Sequence, residues 1–387
     1  MGIICRIVFG IVLSLSFLPN SGADTTRPET LWENLPAHCQ NDKECLIELP
    51  GAYCADGTRS FFTLTKRAKA KNLLIYFRGG GACWSPETCD AGYARVLTRK
   101  ETATDWTNGK GIHDSQDPNN PFRKNYHVVT IPYCTGDAFT GNRVVDYLSD
   151  RAPRKMHHVG YQNAVLTLQA AKALYPSPER VAIVGCSAGG IGAYYHLRNL
   201  ADAFPSAKKY VISDAGTPFR PPYVDGSKYQ QIMKVWGADR TLPQWESGHV
   251  ASHFGEVWQY NKQFFPDVKF GFISSYGDKT MSFFAWTLGA TAPFAAVKKT
   301  IIEAADQDLG NLPYGKVFYT QGTDHCHTPK KLSDSTSTKT NLGEWLTAMV
   351  SDDSTWENQR PDESRQFNFE EPNHLPTLEE IQSENFQ

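Results

Sequence analysis

The sequence lacks a surplus of either charge. Its 387 residues include 39 Lys and Arg and 41 Asp and Glu, which gives a formal net charge of -2 at pH 7. Proteins that hold nucleic acid or anionic membranes need basic residues that neutralise phosphates. The composition therefore predicts that nucleic acid is not a partner.

Long hydrophobic runs are missing after the first 23 residues. Within residues 1–23, Arg6 precedes an apolar run over residues 7–18, and small residues follow at positions 21 and 23. This order is typical of a secretory signal peptide that is cleaved before Asp24. We therefore expect an exported protein, extracellular or periplasmic, with no integral membrane association.

The C-x₂-C pairs typical of zinc sites are also missing, and we expect no metal. The eight cysteines that follow the signal segment are Cys39, Cys45, Cys54, Cys83, Cys89, Cys134, Cys186 and Cys326. In an oxidising compartment an even number allows every cysteine to pair. Cys83 and Cys89 enclose a short loop after a strand and are the first pair that we expect, while the other pairings stay open.

Apolar, β-branched runs alternate with helical patterns along the chain. Strands are predicted at residues 73–77, 127–131, 181–185, 210–213, 268–274 and 317–319, and helices at 160–174, 189–203 and 342–350. This alternation predicts an α/β fold with a mainly parallel central sheet covered on both faces. Residues 214–248 show little periodicity and are interpreted as an insertion or cap over the sheet.

The most informative motif is Gly185-x-Ser187-x-Gly189, between the apolar run 181–184 and a helical pattern. A strand-to-helix turn that exposes a serine hydroxyl leaves no room for side chains two residues either side of it. The pattern predicts that Ser187 is a nucleophile.

A serine nucleophile needs a histidine base, which follows an acidic residue in the order typical of this turn. His325 and His327 follow the strand at 317–319, and His374 lies in the acidic tail and is the weakest candidate. His325 comes first off the strand and is preferred. The alternative for residues 324–327 is a metal-binding loop, although no second ligand cluster is evident.

The orienting acid is expected at the end of another strand. Asp278 follows the strand at 268–274 and is preferred, while Asp214 follows the strand at 210–213 and is the alternative. Both positions are compatible with separate strand–helix units that meet at one edge of the sheet.

A glycine triplet at residues 79–81 follows the strand at 73–77. Glycines let backbone N–H groups point inward, and with the N–H of Ala188 they form a predicted oxyanion hole. The triplet is not interpreted as a phosphate cradle, because no Lys-Ser/Thr follows it and the G-x-G-x-x-G spacing is absent.

Together these blocks resemble the pectin acetylesterase and Notum carboxylesterase family. The resemblance rests on the Gly-Gly-Gly-x-Cys block at 79–83, the Gly-Cys-Ser-Ala-Gly-Gly turn at 185–190 and the His-Cys loop at 325–326. Further matching blocks lie at residues 53–58, 83–89, 131–137 and 158–163, so that the likeness covers residues 54–328.

The resemblance implies an α/β-hydrolase-like three-layer fold with inserted cap loops. One esterase domain is expected over residues 24–351, and the acidic, amide-rich composition from Asp352 onward predicts a C-terminal extension at 352–387. The implied catalytic triad and oxyanion hole comprise Ser187, Asp278 and His325, and Gly80, Gly81 and Ala188. Since Cys186 and Cys326 adjoin the serine and the histidine, we also hypothesise that these two cysteines pair.

The expected reaction is hydrolysis of a carboxylic ester through an acyl-serine, by a monomer that needs no cofactor. Acetyl esters on pectin or a related polysaccharide are the leading substrate by resemblance. The alternatives are removal of a longer acyl chain, as by Notum, and a non-catalytic polysaccharide-binding protein. The apolar run at 281–288 either lines an acyl pocket or is a packed helix.

Three residues near the predicted site are candidates for substrate binding: Arg78, Trp84 and Asp137. Family members commonly carry Glu or Gln where this chain has Arg78. A guanidinium at this position would pair with galacturonate carboxylates, or it forms a structural ion pair.

Overall fold

The structure is a computed structural model that describes residues 39–99, 109–148, 153–303 and 314–361, together with the single positions 309 and 379. The predicted signal peptide, most of the acidic extension and His374 lie outside the described residues. None of the helices in the described part of the chain combines the length and apolar character that a membrane crossing requires.

The described residues form an eight-stranded central sheet and a separate two-stranded hairpin. The strands are β1 Glu44–Tyr53, β2 Arg59–Thr65, β3 Asn72–Phe77, β4 Tyr126–Ile131, β5 Arg143–Asp146, β6 Lys155–His158, β7 Arg180–Cys186, β8 Lys208–Asp214, β9 Lys269–Ser275 and β10 Gly315–Thr320. The order across the sheet is β1-β2-β4-β3-β7-β8-β9-β10, and β5 pairs with β6. From β4 to β10 the neighbours are parallel, while β1–β2 and β2–β4 are antiparallel.

Helices cover both faces of the sheet. They are α1 Pro86–Asp90, α2 Gly160–Leu174, α3 Ala188–Tyr195, α4 Leu197–Ala203, α5 Gly226–Trp236, α6 Phe254–Phe264, α7 Lys279–Thr287, α8 Pro293–Glu303 and α9 Leu342–Val350. Alternate side chains of a strand point to opposite faces. Thus Ile75 and Phe77 of β3 join the larger apolar core, whereas Leu74 and Tyr76 join a second core that includes Trp345 of α9.

The predicted mainly parallel α/β sheet is confirmed. All six predicted strands are present, because the parallel strands are buried on both faces and show as continuous apolar runs. The helices at 160–174 and 342–350 are also confirmed. The predicted helix at 189–203 is interrupted at His196, whose ring nitrogen Nε2 lies 2.8 Å from the carbonyl oxygen of Phe139.

Residues 214–248, which show little periodicity and are interpreted as an insertion or cap, include the helix α5. The Asp225 carboxylate accepts hydrogen bonds from the N–H groups of Ser227 and Lys228 at the start of this helix. Gly237 ends the helix with a φ of 71°, a left-handed conformation that glycine adopts without steric cost. The polar first turn and short length of α5 weaken its periodicity in the sequence.

The first residues of the predicted C-terminal extension contact the central sheet. The N–H of Gln359 donates to the carbonyl oxygen of Val317 at 2.8 Å, and the N–H of Tyr319 donates to the carbonyl oxygen of Gln359 at 2.8 Å. Trp356 is buried in the smaller core. Residues 352–361 therefore pack against the sheet.

Asp352 joins this C-terminal segment to the amino ends of three strands. Its carboxylate lies 2.7 Å from Lys208 Nζ, 3.1 Å from Lys269 Nζ and 3.6 Å from Arg180 Nη2. Burial alone would raise the pKa of Asp352, but the hydrogen bonds and charges of Lys208 and Lys269 lower it below the ordinary carboxyl value.

We predict that Asp352→Asn lowers the free energy of unfolding by about 1 kcal/mol and the Tm by about 2–4 °C at neutral pH. Because the pKa is lowered on folding, the stabilisation is present above the ordinary carboxyl pKa and is lost as the pH falls through the folded value. The difference in Tm should vanish below about pH 3. Calorimetry at both pH values checks this, and a difference that persists in acid would contradict it.

Candidate active site

Ser187 occupies a strained turn between β7 and α3. Its φ of 58° and ψ of -124° are unfavourable for any residue other than glycine. Such strain is typical of the turn that presents a nucleophilic serine. A Cβ built on Gly185 would lie 2.0 Å from the carbonyl oxygen of Gly189, and one built on Gly189 would lie 2.1 Å from that of Phe77. The close approach of these backbones explains why both motif positions are glycine.

The side chains of His325 and Asp278 form a buried pair at the same edge of the sheet. His325 Nδ1 lies 2.8 Å from one carboxylate oxygen of Asp278 and 3.1 Å from the other. Asp278 is fully buried, and its carboxylate also accepts a hydrogen bond from the N–H of Met281. His325 Nε2 is buried and has no hydrogen-bond partner in the described part of the chain. With the Nδ1 proton donated to Asp278, Nε2 carries the lone pair that a general base requires.

A disulfide connects the two halves of this arrangement. Cys186 directly precedes Ser187 and Cys326 directly follows His325, and the bond between them brings their Cα atoms to 5.7 Å. The hypothesis that these cysteines pair is confirmed, as is the predicted Cys83–Cys89 bond. The remaining pairs are Cys39–Cys45 and Cys54–Cys134.

The glycine triplet is held by two hydrogen bonds to its carbonyl groups. Arg95 N–H donates to the carbonyl oxygen of Gly80 at 3.0 Å, and the Tyr133 hydroxyl donates to that of Gly81 at 2.8 Å. In a trans peptide the N–H points opposite to the C=O, so the first bond aims the Gly81 N–H away from Arg95. Within the described residues, the N–H groups of Gly80, Gly81 and Ala188 donate to no protein acceptor.

Of these three residues, Gly81 and Ala188 line the same cavity as Ser187. Gly80 packs behind them, and a Cβ built on it would lie 2.5 Å from the ring of Tyr133. Gly81 and Ala188 therefore lie at the cavity, and the roles of all three N–H groups as oxyanion donors stay predictions.

The cavity beside Ser187 has a volume of about 60 Å³ and is open to solvent at its mouth. Its walls are largely apolar and come from α3, α5, α6, α7 and the loop over residues 79–84, here called the oxyanion loop. The residues that line it are Gly81, Ala82, Trp84, Ala138, Ser187, Ala188, Ile191, Phe219, Tyr229, Ile232, Met233, Trp236, Phe254, Met281, Phe284 and Leu288.

Sequence reasoning did not identify the α5 side of this cavity, because its four residues lie in the segment that shows little periodicity and was interpreted only as an insertion or cap. Their spacing, at positions 229, 232, 233 and 236, is the i, i+3, i+4, i+7 pattern of one helix face and was the available signal. The apolar run at 281–288 is both a packed helix and part of the cavity wall, since Met281, Phe284 and Leu288 line it.

Of the substrate-binding candidates, Trp84 lines the cavity, whereas Arg78 and Asp137 do not. Asp137 is fully buried, and its carboxylate accepts hydrogen bonds from the Thr135 hydroxyl and from the N–H groups of Phe139 and Gly160. Burial raises the pKa of Asp137 to about 6, although these hydrogen bonds lower it. The prediction that Asp137 binds substrate is therefore replaced by a structural role.

That structural role is to hold a strained turn at the cavity wall. Ala138 and Phe139 have φ values of 51° and 62°, in the left-handed region that side chains disfavour. The N–H of Ala138 donates to the Tyr133 hydroxyl at 2.8 Å, and the same hydroxyl donates to Gly81. Tyr133 thus connects the turn to the oxyanion loop.

Arg78 is not among the residues that line the cavity. Burial raises the pKa of the Glu44 carboxyl, whereas its hydrogen bond from Thr63 and the charge of Arg78 lower it. The two roles considered for Arg78, contact with a substrate carboxylate and a structural ion pair, both stay predictions.

The alternative acid and base occupy different places. His327 has its ring nitrogens 3.0 Å from the Ser275 hydroxyl and 2.9 Å from the Ser335 hydroxyl, and burial lowers its pKa. The Asp214 carboxylate contacts the backbone of residues 327 and 328. Because both His327 nitrogens are engaged, and because no group of three or more ligand side chains is found in the described residues, the metal-loop alternative has no support.

The strand order, the sharp turn at Ser187 and the acid–histidine pair define an α/β-hydrolase-like protein. The sequence model of the Pectinacetylesterase family matches residues 43–275, more than half of the chain. The chain therefore belongs to the pectinacetylesterase family.

Curated relatives fall into two groups. The palmitoleoyl-protein carboxylesterase NOTUM of Drosophila melanogaster is 26% identical over 254 residues, which is 60% of this chain and 36% of the relative. Pectin acetylesterase 11 of Arabidopsis thaliana is 26% identical over 204 residues, which is 50% of this chain and 51% of the relative. The chain thus spans about a third to a half of the length of these relatives.

A solved structure of the Wnt deacylase Notum from Drosophila superposes with a TM-score of 0.59 at 19% identity. The match covers 82% of this chain and 95% of that one. At this identity the likeness establishes the fold.

We predict that Tyr133→Phe lowers kcat by about 10–100-fold with little change in KM, because the Gly81 peptide loses its anchor. Steady-state kinetics on a soluble ester checks this. The matched control is Tyr210→Phe, which removes a hydroxyl that contacts Asp352 at the opposite end of the sheet. Equal turnover by Tyr133→Phe and the wild type would contradict the prediction.

We also predict that the double variant Cys186→Ala, Cys326→Ala loses both turnover and stability. This bond closes a loop with a sequence separation of 140, and its loss should cost about 2–5 kcal/mol. Assays below the Tm of this variant should show kcat reduced about tenfold or more, because the loop that carries His325 loses its covalent attachment to the serine turn. Cys39→Ala, Cys45→Ala is the control, with a separation of 6. Unchanged kcat in the first variant would count against a positioning role.

Proposed function

We propose that this protein is a carboxylic ester hydrolase that works through an acyl-serine on Ser187. The observation that carries the proposal is the Asp278–His325 pair, with His325 Nε2 unpartnered in the described structure and joined by the Cys326–Cys186 bond to the serine turn. Membership of the pectinacetylesterase family and the names of the curated relatives support the same chemistry.

In the proposed reaction, His325 Nε2 takes the proton of Ser187 Oγ as this oxygen attacks the ester carbonyl carbon. The N–H groups of Gly81 and Ala188 stabilise the negative oxygen of the tetrahedral intermediate. The intermediate collapses, and His325 returns the proton to the departing alcohol. A water molecule then releases the acid by the same steps, while Asp278 holds the histidine tautomer and stabilises the imidazolium.

The apolar lining of the cavity favours an acyl group longer than acetyl. Side chains such as Ile232, Met233 and Leu288 line it, and they offer few polar partners to a sugar or a small acid. Each buried CH₂ contributes about 0.8 kcal/mol, so a longer chain gains affinity in this space. We therefore place the longer-chain deacylase ahead of the acetylesterase that the sequence resemblance favoured.

Hydrolysis of acetyl esters on pectin or a related polysaccharide is the second candidate. The family description and the plant relatives support it, and Trp84 at the cavity is suited to stacking against a sugar ring. A non-catalytic polysaccharide-binding protein is disfavoured because serine, histidine and aspartate are all retained in a catalytic order.

We propose that the protein acts outside the cytosol as a monomer. Its four disulfides persist in an oxidising compartment, which agrees with the predicted signal peptide.

We predict that purified protein hydrolyses nitrophenyl esters and that kcat/KM rises about tenfold or more from two to eight acyl carbons. Ser187→Ala should lose about 10³-fold or more in kcat. Met233→Trp should fill part of the cavity and shift the preference to shorter chains. Kinetics across a chain-length series and acetate release from acetylated pectin and xylan check these outcomes.

Each arm of this experiment has its own contrary result. Equal acid release by Ser187→Ala and the wild type would overturn the serine hydrolase. A preference for two carbons over eight, with acetate release from a polysaccharide, would overturn the longer-chain substrate in favour of the acetylesterase.

A further inference from the structure

Asp214 is a fully buried acid that is absent from the triad yet contacts both sides of it. It ends β8, where it lies opposite Cys186 in the register with β7. Its main-chain carbonyl oxygen accepts a hydrogen bond from the N–H of Ser187 at 2.8 Å. Asp214 therefore helps to hold the strained turn that presents the nucleophile.

The side chain of the same residue holds the loop that carries the base. One carboxylate oxygen of Asp214 accepts hydrogen bonds from the N–H of His327 at 2.7 Å, the N–H of Thr328 at 2.6 Å and the Thr328 hydroxyl at 2.8 Å. Hydrogen bonds to a charged acceptor are stronger than neutral ones. Asp214 thus connects the backbone of Ser187 to residues 327 and 328, which directly follow the His325–Cys326 pair in the chain.

This loop needs such an anchor because its backbone is strained. Cys326, between His325 and His327, has a φ of 62°, which a side-chain-bearing residue disfavours. The disulfide to Cys186 holds this residue from one side, and the Asp214 carboxylate holds the next two residues from the other.

The ring of His327 extends the same attachment to the acid. Its Nε2 lies 3.0 Å from the hydroxyl of Ser275 at the end of β9 and 3.3 Å from that of Thr320 at the end of β10. The carbonyl oxygen of Ser275 in turn accepts from the N–H of Asp278. The base loop is therefore connected to the ends of β8, β9 and β10 at once.

We propose that Asp214 is a positioning residue for the reaction, which sets His325 at its working distance and orientation relative to Ser187. The inference rests on the proposed function, since it assumes that His325 is the base. Asp214 acts through the backbone of residues 327 and 328 and does not contact the substrate.

Two substitutions at this position separate the carboxylate's hydrogen bonds from its size. Asp214→Leu keeps the branching and the number of side-chain heavy atoms and removes both side-chain acceptors, whereas Asp214→Asn, which is close in volume, retains one carbonyl oxygen toward the loop. Asp214→Leu should lower kcat on a short nitrophenyl ester about 100-fold with KM changed by no more than about threefold. Asp214→Asn should restore kcat to within about tenfold of the wild type.

The matched control is Asp352→Leu, which removes a carboxylate with several cationic partners from the opposite end of the sheet. It should lose stability and keep its kcat, when assayed below its Tm. If Asp214→Leu does not fold, Thr328→Val replaces it. Thr328→Val removes only the hydrogen bond from the Thr328 hydroxyl to Asp214. It should therefore show a smaller fall in kcat, of about threefold to tenfold, again at constant KM.

The outcomes distinguish this inference from the proposed function. If Ser187→Ala retains wild-type turnover, the proposed function fails. Two other results would overturn the positioning role alone, given an inactive Ser187→Ala. The first is wild-type kcat in Asp214→Leu or in its substitute Thr328→Val. The second is an equal fall in kcat in the control Asp352→Leu.

Discussion

The pairing of β7 with β8 is the constraint on which the proposed site depends. In the last residue pair of that register, Cys186 lies opposite Asp214. Cys186 attaches its strand end to the His325 loop by a disulfide, and Asp214 attaches its strand end to the same loop by hydrogen bonds. The next residue after Cys186 is Ser187. Two strained backbone positions, Ser187 and Cys326, are thus stabilised by attachments that lie within one residue of them.

The parallel sheet determines which parts of the chain supply the proposed site residues and the cavity wall. Carboxyl ends of parallel strands meet at one edge, so the segments after β3, β7, β9 and β10 place the glycine triplet, Ser187, Asp278 and His325 at that edge. Much of the cavity wall comes from the helices that follow β8 and β9. The proposed chemistry and the proposed acyl selectivity therefore depend largely on different parts of the chain, which is consistent with relatives that include both pectin acetylesterases and Notum.

Much of the sheet was predictable from the sequence, because central parallel strands are continuous apolar runs. The antiparallel strands β1 and β2 on one side of the sheet were not, since β1 is not a continuous apolar run: it alternates between buried and exposed residues and carries an irregular register between Glu48 and Tyr53. The pairing of Asp278 with His325 could be proposed from position alone. The burial of Asp137 could not, because the sequence near a motif does not distinguish an aspartate that faces a substrate from one that holds a strained turn.

The attachment of residues 352–361 was also beyond the sequence. An acidic composition is typical of a solvated extension, whereas three cationic side chains meet Asp352 and help to hold this segment against the sheet. These side chains come from distant strands, so no local pattern signals their convergence.

The most direct test of the account is covalent labelling with a fluorophosphonate, which reacts with an activated serine hydroxyl. Intact-mass measurement should show one adduct per chain, peptide mapping should place it on Ser187, and the labelling rate should fall sharply in His325→Ala and less in Asp214→Asn. A folded protein that takes up no label, or that carries it on another residue, would contradict the central claim that these groups form one catalytic unit.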